Sequence, residues 1–269
     1  MFIGFFFFFT WRMLSDLFNG MAQKLQEGME HERAAEKSKN ELIIGVSHDL
    51  RTPLTSILGY LELIETDRYK DEVELRYYTN VAYEKAKRLK KLIDELFEYT
   101  SMSGGDIKLH LQKVNINVLL KQLAEEFVPQ FTKAGMCCRF NEDNEELYVY
   151  ADSNRLIRTY ENLIVNAIRY GSKGKYVDIG IKRDHHEAVV SIANFGESIS
   201  DRDLPYIFER FYRADKSRTS ENGGTGLGLA IAKSIIDAHG GQISARSSRL
   251  ETIFETRLPL VDEGKTIKV

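Results

Sequence analysis

The sequence predicts an α plus α/β fold, in which a helical hairpin precedes a mixed α/β domain. Between residues 41 and 103, apolar side chains recur every three or four positions, which is the period of an amphipathic helix. Further along the chain, Val177, Ile179 and Ile181 alternate with polar residues, as half-buried strands do. The Ser-Gly-Gly sequence at 103–105 breaks the helical pattern and marks the boundary between the two parts.

The helical part contains two apolar stripes joined by a short polar link at residues 67–71. The first stripe, with steps of 3, 4, 4, 3, 4 and 3 residues, consists of Ile43, Val46, Leu50, Leu54, Ile57, Leu61 and Ile64. The second stripe consists of Tyr78, Ala82, Ala86, Leu89, Ile93 and Leu96. A lone antiparallel hairpin buries both stripes poorly, so we expect a homodimer in which two hairpins form a four-helix bundle.

The α/β part shows three strand patterns and two helix patterns. Strands are predicted over residues 177–181, 189–193 and 254–258, and helices over residues 155–170 and 227–238. The second helix is followed directly by two glycines, which are typical of a helix end. The pattern of this part is therefore mixed α/β.

Composition excludes several classes of protein. The chain has 269 residues, 43% hydrophobic and 29% charged, which indicates a packed core rather than a disordered tail. Its net charge of -3 lacks a basic excess, so we expect no direct binding of nucleic acid. Cys137 and Cys138 are adjacent and show no metal-ligand spacing, so we interpret them as strand residues in a reducing cytosol.

The N-terminus begins with an apolar run, residues 1–9, followed by Trp11 and Arg12. The run is less than half of the ~20 residues that span a membrane, but its end resembles the cytoplasmic end of a transmembrane helix. We therefore interpret residues 1–40 as the remnant of a membrane anchor and a signalling helix, at the cytoplasmic face of the cell membrane. The alternative is a sticky, frayed terminus. The remaining domain boundaries are then 41–104, 105–262 and a tail at 263–269.

The first chemical motif is centred on His48. This residue lies two positions from Val46 and two from Leu50, which turns it about 200° away from the apolar stripe and outside the bundle. Asp49 could orient or deprotonate the imidazole, which leaves a nitrogen lone pair free to attack phosphorus. Thr52 lies one helical turn from His48, where its hydroxyl could position a water molecule.

The second motif lies on the predicted helix 155–170. Asn162 and Asn166 are four residues apart and share one face, where their carbonyl oxygens suit Mg²⁺. Arg169 adds positive charge for a phosphate, and Tyr170 follows at the helix end. A glycine-rich turn then opens the next helix, where backbone amides favour anions; its residues are Gly224, Thr225, Gly226, Leu227 and Gly228.

Four strings together resemble the motifs of sensor histidine kinases of two-component systems. SHDLRTPL at 47–54 resembles the H-box, and NLIVNAIRY at 162–170 resembles the N-box. IFERFYR at 207–213 resembles the F-box, and GGTGLGLAI at 223–231 resembles the G2-box. The resemblance covers most of the chain, and it implies a dimerisation and phosphotransfer domain followed by a GHKL (Bergerat) α/β sandwich.

The resemblance also implies a reaction. His48 would take a phosphoryl group from ATP and pass it to an aspartate of a cognate response regulator of the winged-helix type. Asn166 would hold Mg²⁺, with Asn162 as a supporting residue. A lid over ATP would extend from about residue 204 to 221, anchored by Phe208 and Phe211, with Arg213 reaching the terminal phosphate. Thr52, with Asp49, would support a phosphatase activity toward the phosphorylated regulator.

One string departs from the family pattern. The G1-box usually reads DxGxG, and its aspartate accepts a hydrogen bond from the adenine amino group. This chain instead has Asn194, Gly196 and Ser198 at the corresponding positions. Asn194 keeps a carbonyl acceptor but loses charge assistance, which puts the strength of ATP binding in doubt. This variant resembles the VanS-type sensors.

Two other functions stay open at this point. A GHKL ATPase of the chaperone or gyrase type would share the nucleotide motifs, but SHDLRTPL argues against it. A pseudokinase scaffold that dimerises without turnover would be compatible with Asn194. A measurement of autophosphorylation separates both from the kinase.

Overall fold

The computed structural model describes residues 26, 45–47, 49–103, 109–143, 145–213 and 226–261. His48, Gly224 and Thr225 lie outside the described residues, as do the tail and nearly all of the predicted anchor and signalling helix. Compact packing divides the chain into two units, Met1–Ala86 and Lys87–Val269. The predicted domain boundary near residue 105 stays a prediction.

The first unit is helical. Residues 45–47 are helical, helix α1 covers 49–65, and helix α2 runs from Glu72 to Ser103 and so continues into the second unit. Asp71 begins α2, because its Oδ1 accepts a hydrogen bond from the Glu74 N–H at 2.9 Å, which satisfies one free donor of the first turn. The rings of Tyr60 and Tyr78 lie 5.4 Å apart and bring the two helices into contact.

Helix α1 carries three exposed leucines in the single chain, two from the predicted apolar stripe and one beside it. Leu54, Leu58 and Leu61 are 46%, 59% and 48% exposed. A helix of a monomeric protein would turn such a row of leucines inward, so this exposure favours burial against a second chain. The predicted four-helix dimer stays a prediction. None of the described helices is both long enough and apolar enough to cross a membrane.

The second unit is mixed α/β, as predicted. Its helices are α3 (Ile116–Glu126), α4 (Val128–Lys133), α5 (Ser153–Gly171) and α6 (Gly228–Ala238), with 3₁₀ turns at Ser172–Gly174 and Leu204–Tyr206. Its strands are β1 (Gln112–Asn115), β2 (Cys137–Glu142), β3 (Tyr148–Ala151), β4 (Tyr176–Asp184), β5 (Glu187–Asn194), β6 (Gln242–Ser247) and β7 (Thr252–Pro259). All three predicted strands and both predicted helices are confirmed.

Five strands form one sheet in the order β2-β4-β5-β7-β6, and β1 and β3 form a separate pair. Only β2 and β4 run parallel, while the other neighbours in both sheets are antiparallel. Cys137 and Cys138 lie in β2, as predicted, and both thiols are free. Burial raises the pKa of the Cys138 thiol to about 11, so it is protonated and unreactive at neutral pH.

The core lies between this sheet and helices α5 and α6. Tyr160 of α5 is fully buried, and its hydroxyl lies 3.2 Å from Thr256 Oγ1 of β7. At the other end of the layer, His239 follows α6: its Nδ1 lies 2.7 Å from the Ile235 carbonyl, and its Nε2 accepts the Asp152 N–H at 3.0 Å. Asp152 caps α5, so the end of α6 is tied to the start of α5.

Candidate functional site

Helix α5 separates an apolar face from a polar one. Leu156, Tyr160 and Leu163 are at most 1% exposed and pack into the core. Asn162 and Asn166 lie on another face and are partly exposed. This division confirms the predicted faces of the helix and leaves two amide side chains available beside the core.

Asn162 faces the first residue of α6. A Cβ placed on Gly228 would lie 3.3 Å from Asn162 Oδ1, so the glycine lets the start of α6 approach the amide closely. Within the described residues, the buried Nδ2 of Asn162 has no hydrogen-bond partner. The structure therefore brings together Asn162 and the glycine-rich helix start, which were predicted to share one site.

Gly226 and Phe211 form a backbone pair just before α6. The Phe211 N–H donates to the Gly226 carbonyl at 3.0 Å. Both residues have positive φ, 57° for Phe211 and 76° for Gly226. A Cβ on Gly226 would lie 2.7 Å from the Phe211 Cα, so only glycine fits there. This pair fixes where the chain enters α6.

Phe208 anchors the segment before that pair. Its ring meets the buried Phe254 ring edge-on, with 6.3 Å between centroids, and Lys233 Nζ lies 6.0 Å from its centroid. This packing agrees with an anchoring role for Phe208, but the predicted lid lies partly outside the described residues, and its anchoring by Phe208 and Phe211 stays a prediction. Arg213, which was predicted to reach the terminal phosphate, is partly exposed. Its contact with a phosphate stays a prediction.

Asn194 and Gly196 meet the other end of α5. Asn194 ends β5, is 2% exposed, and has a buried Nδ2 without a hydrogen-bond partner in the described part of the chain. A Cβ on Gly171 would lie 2.8 Å from the Asn194 Cβ. A Cβ on Gly196 would lie 1.7 Å from the Tyr170 carbonyl oxygen. The end of α5 and the turn 194–196 therefore require glycine on both sides.

Tyr170 and Arg169 occupy the last turn of α5 and extend toward solvent. Tyr170 is 40% exposed, and Arg169 is also exposed. Helix α5 thus carries predicted nucleotide residues at its middle and at its C-terminal end: Asn162 lies beside α6, and Tyr170 lies beside Gly196.

Sequence reasoning missed two hydroxyl residues next to Asn194. Thr252 is paired with Asn194 across β5 and β7 and is 3% exposed. Its Oγ1 lies 2.6 Å from Ser247 Oγ, which in turn accepts the Ile199 N–H at 2.9 Å. The available signal was the alternation of β7, which places Thr252 on the same face as Phe254.

A second missed cluster holds Phe195, which lies between Asn194 and Gly196. Arg139 donates two hydrogen bonds to Asp178, each 2.6 Å, from the opposite position on the neighbouring strand. Its guanidinium lies 4.6 Å from the ring of Tyr176 and 5.5 Å from the ring of Phe195. Such cation–π contacts at exposed sites contribute about 0.5–1 kcal/mol each, so Arg139 helps to fix the turn that follows Asn194.

The helical unit places two residues of the first motif. Asp49 is partly exposed and Thr52 is exposed, and both belong to α1, which continues through Pro53. In the sequence, Asp49 directly follows His48, and Thr52 follows it by four residues. Their roles beside His48 stay predictions.

The residues of the second unit fit a nucleotide with a divalent cation. Two amide nitrogens, of Asn162 and Asn194, are buried without protein partners in the described part of the chain, which favours a ligand that supplies acceptors. No group of three His, Cys, Asp or Glu side chains converges among the described residues. A cation held here would therefore use amide and phosphate oxygens, which suits Mg²⁺.

Two family models match the chain in the expected order. Residues 38–105 match the His Kinase A (phospho-acceptor) domain. Residues 151–262 match the histidine kinase-, DNA gyrase B-, and HSP90-like ATPase. The two matched segments contain all the site residues predicted from the sequence.

Relatives and solved structures agree with these matches. The chain is 36% identical to the sensor protein VanS of Enterococcus faecium, over 92% of this chain and 65% of VanS. It is 37% identical to the sensor protein VanSC of Enterococcus gallinarum, over 91% of this chain and 68% of VanSC. The histidine kinase ThkA, solved in complex with the response regulator protein TrrA, matches 84% of this chain and 63% of its own, with a TM-score of 0.69 and 26% identity.

The chain thus spans 65% of the length of VanS and 68% of that of VanSC. The chain belongs to the sensor histidine kinase family and is similar to its VanS-type members.

Proposed function

We propose that the chain autophosphorylates His48 with ATP and transfers the phosphoryl group to an aspartate of a response regulator. One observation carries this proposal: Asn162 in the middle of α5 and Asn194 beside its C-terminal end each have a buried amide nitrogen that lacks a partner in the described residues. Two such amides along one helix suit a ligand with a base at one end and phosphates at the other.

The roles of the nucleotide residues follow from their chemistry. Asn194 would accept a hydrogen bond from the base, while Gly196 leaves room for the Tyr170 carbonyl. Asn166, supported by Asn162, would offer its carbonyl oxygen to Mg²⁺, and the first amides of α6 would face the phosphates. Arg169 and Arg213 add positive charge. When bound, Mg²⁺ offsets the negative charge of the phosphate oxygens.

Asp49 and Thr52 have separate roles beside His48 in this proposal. Asp49 would hold the proton on one ring nitrogen of His48, which leaves the lone pair of the other nitrogen free to attack. Thr52 would hold a water molecule for the opposing activity, the hydrolysis of the regulator's phosphoaspartate, which releases inorganic phosphate. This division of roles gives the chain both a kinase and a phosphatase activity.

Partners and location follow the same reasoning. The exposed leucines of α1 suit a second copy of the chain, and a four-helix bundle would bury them. The response regulator bound by ThkA supports a regulator as partner here, and a winged-helix type is our expectation. The apolar run at residues 1–9 favours an anchor in the cell membrane.

The test is the site of labelling. The full chain should take up acid-labile, base-stable label from ATP that carries ³²P in its γ-phosphate, and His48→Gln should abolish the label while ATP still binds. The matched control is His186→Gln, since His186 is exposed on the β4–β5 turn and should not matter. A wild-type chain that binds ATP without labelling would instead support the scaffold, and retained label in His48→Gln would falsify the assignment.

A further inference from the structure

The amide of Asn194 has an open donor. Its Nδ2 is buried and has no hydrogen-bond partner within the described residues. A buried donor without a partner is unfavourable, so a native site of this kind favours a ligand that supplies an acceptor. The amino group of adenine is itself a donor and uses the carbonyl Oδ1 of Asn194, which leaves Nδ2 for a second atom of the base.

We propose that the base site of this chain accepts 6-oxopurine nucleotides, the inosine and guanosine triphosphates, in addition to ATP. The inference rests on the proposed ATP site and concerns its base specificity. An amide has one acceptor and two donors, and a rotation by 180° about its last torsion exchanges them. In one orientation Asn194 accepts from the 6-amino group and donates to N1; in the other it donates to the 6-oxo group and accepts from the N1–H.

A carboxylate at position 194 cannot pair with both kinds of base. An ionised aspartate offers only acceptors, so it faces the 6-oxo oxygen with two groups of the same kind. The usual family residue therefore selects adenine by excluding the oxo group. Asn194 removes that exclusion, since its side chain pairs with either edge.

The residues around Asn194 do not restore the exclusion of a 6-oxo group. Its two partners in the sheet, Val177 and Thr252, carry no charge. The buried Thr252 hydroxyl can donate or accept, as can the Ser247 hydroxyl 2.6 Å away. Gly171 approaches the Asn194 Cβ without a side chain of its own. The protein groups identified around the amide therefore tolerate either orientation.

Inosine triphosphate isolates this effect, because its base differs from guanine by lacking the 2-amino group and so needs no extra room. The experiment measures displacement of a fluorescent ATP analogue from the full chain, with Mg²⁺ present, by ATP and by inosine triphosphate. In the wild type we expect the inosine nucleotide to bind within about tenfold of ATP, the range of one neutral hydrogen bond. In Asn194→Asp we expect the ratio of the two dissociation constants to widen by at least about tenfold, with ATP binding retained.

The matched control is Asn80→Asp, which makes the same chemical change at an exposed position of α2 and should leave the ratio unchanged. Inosine triphosphate bound more than about 100-fold more weakly than ATP by the wild type would overturn the inference while leaving the kinase intact. An unchanged ratio in Asn194→Asp would also overturn it. If neither nucleotide binds the wild type, the result contradicts the proposed ATP-dependent function itself, and with it the inference about the base. Should Asn194→Asp fail to fold, the wild-type ratio still decides.

Discussion

The Tyr170 carbonyl oxygen occupies the space that a side chain on Gly196 would need. The distance from that oxygen to an added Cβ would be 1.7 Å, which is much shorter than a van der Waals contact between non-bonded atoms. The end of α5 and the turn after β5 are therefore packed backbone against backbone, and their separation depends on a hydrogen atom at position 196.

Gly196→Ala should consequently disturb both stability and nucleotide binding. The added methyl must push the turn away from α5, and such overpacking typically costs about 1–3 kcal/mol. Thermal or urea unfolding and ATP displacement would measure the two effects. The control is Gly59→Ala in α1, where nothing lies within 4 Å of the added Cβ. We expect the control to be neutral or stabilised by up to about 1 kcal/mol, and equal behaviour of the two variants would contradict the packing argument.

Asn166→Ala should remove the dependence of nucleotide binding on Mg²⁺. The variant deletes the carbonyl oxygen that we propose as a ligand of Mg²⁺ but leaves the apolar face of α5 intact, so folding should persist. The measurement is the affinity for an ATP analogue with and without Mg²⁺, together with the initial rate of autophosphorylation. Asn80→Ala, at an exposed position of α2, is the control. Wild-type rates in Asn166→Ala would mean that another residue holds the cation.

Thr52→Ala should separate two activities. Loss of the hydroxyl removes a group that holds water but leaves the imidazole of His48 untouched, so dephosphorylation of the regulator should slow while autophosphorylation continues. The control is Thr79→Ala, whose hydroxyl donates only to the Leu75 carbonyl one turn earlier in α2. A parallel loss of both activities in Thr52→Ala would indicate a folding defect and contradict the separation.

The free energy of unfolding should depend on pH through the ionisation of Asp152. Burial alone would raise the pKa of this carboxyl group, but the N–H groups of His110 and Arg155 donate to it and hold its pKa below the ordinary 3.8. A group with a lowered pKa stabilises the folded state above its ordinary pKa, and that contribution disappears as the pH falls through the folded value.

The expected result for Asp152→Asn is a loss of stability that is constant near neutral pH and shrinks as the pH falls below 3.8. The amide oxygen can still accept the Arg155 N–H and cap α5, while the hydrogen bond from the His110 N–H is lost together with the charge. Urea unfolding at several pH values measures the difference from wild type, with the exposed Asp201→Asn as control. A difference that stays the same at acidic pH would rule out this linkage.

The strongly patterned elements were predictable from the sequence, and the weakly patterned ones were not. Helix α5 has a full apolar face and an aspartate before its first turn, so its predicted ends differ from the observed ones by two residues at most. Strand β6 alternates only Ile243 and Ala245 with polar residues, and α4 has six residues, too few for a helical period. Their existence depends on packing with distant segments, which no local pattern records.

The residues of the candidate site were also predictable only where the sequence carries a clear motif. The Asn162–Gly228 contact joins residues far apart in the chain and was expected only because both motifs resembled one family. Thr252 was missed because a threonine at the start of a strand is common and carries no motif. Arg139 was missed because its importance depends on the pairing of β2 with β4, which brings it opposite Asp178.

The backbone pair between Phe211 and Gly226 has a consequence for how the family can vary. Because a hydrogen bond of 3.0 Å joins the two residues, the chain between them begins and ends at one place on the protein surface. The entropy of closing a loop grows only with the logarithm of its length, so a doubling costs about 0.6 kcal/mol. A change in length between Arg213 and the glycine-rich segment at residue 224 should therefore cost little free energy of folding, because the hydrogen bond keeps α6 in position.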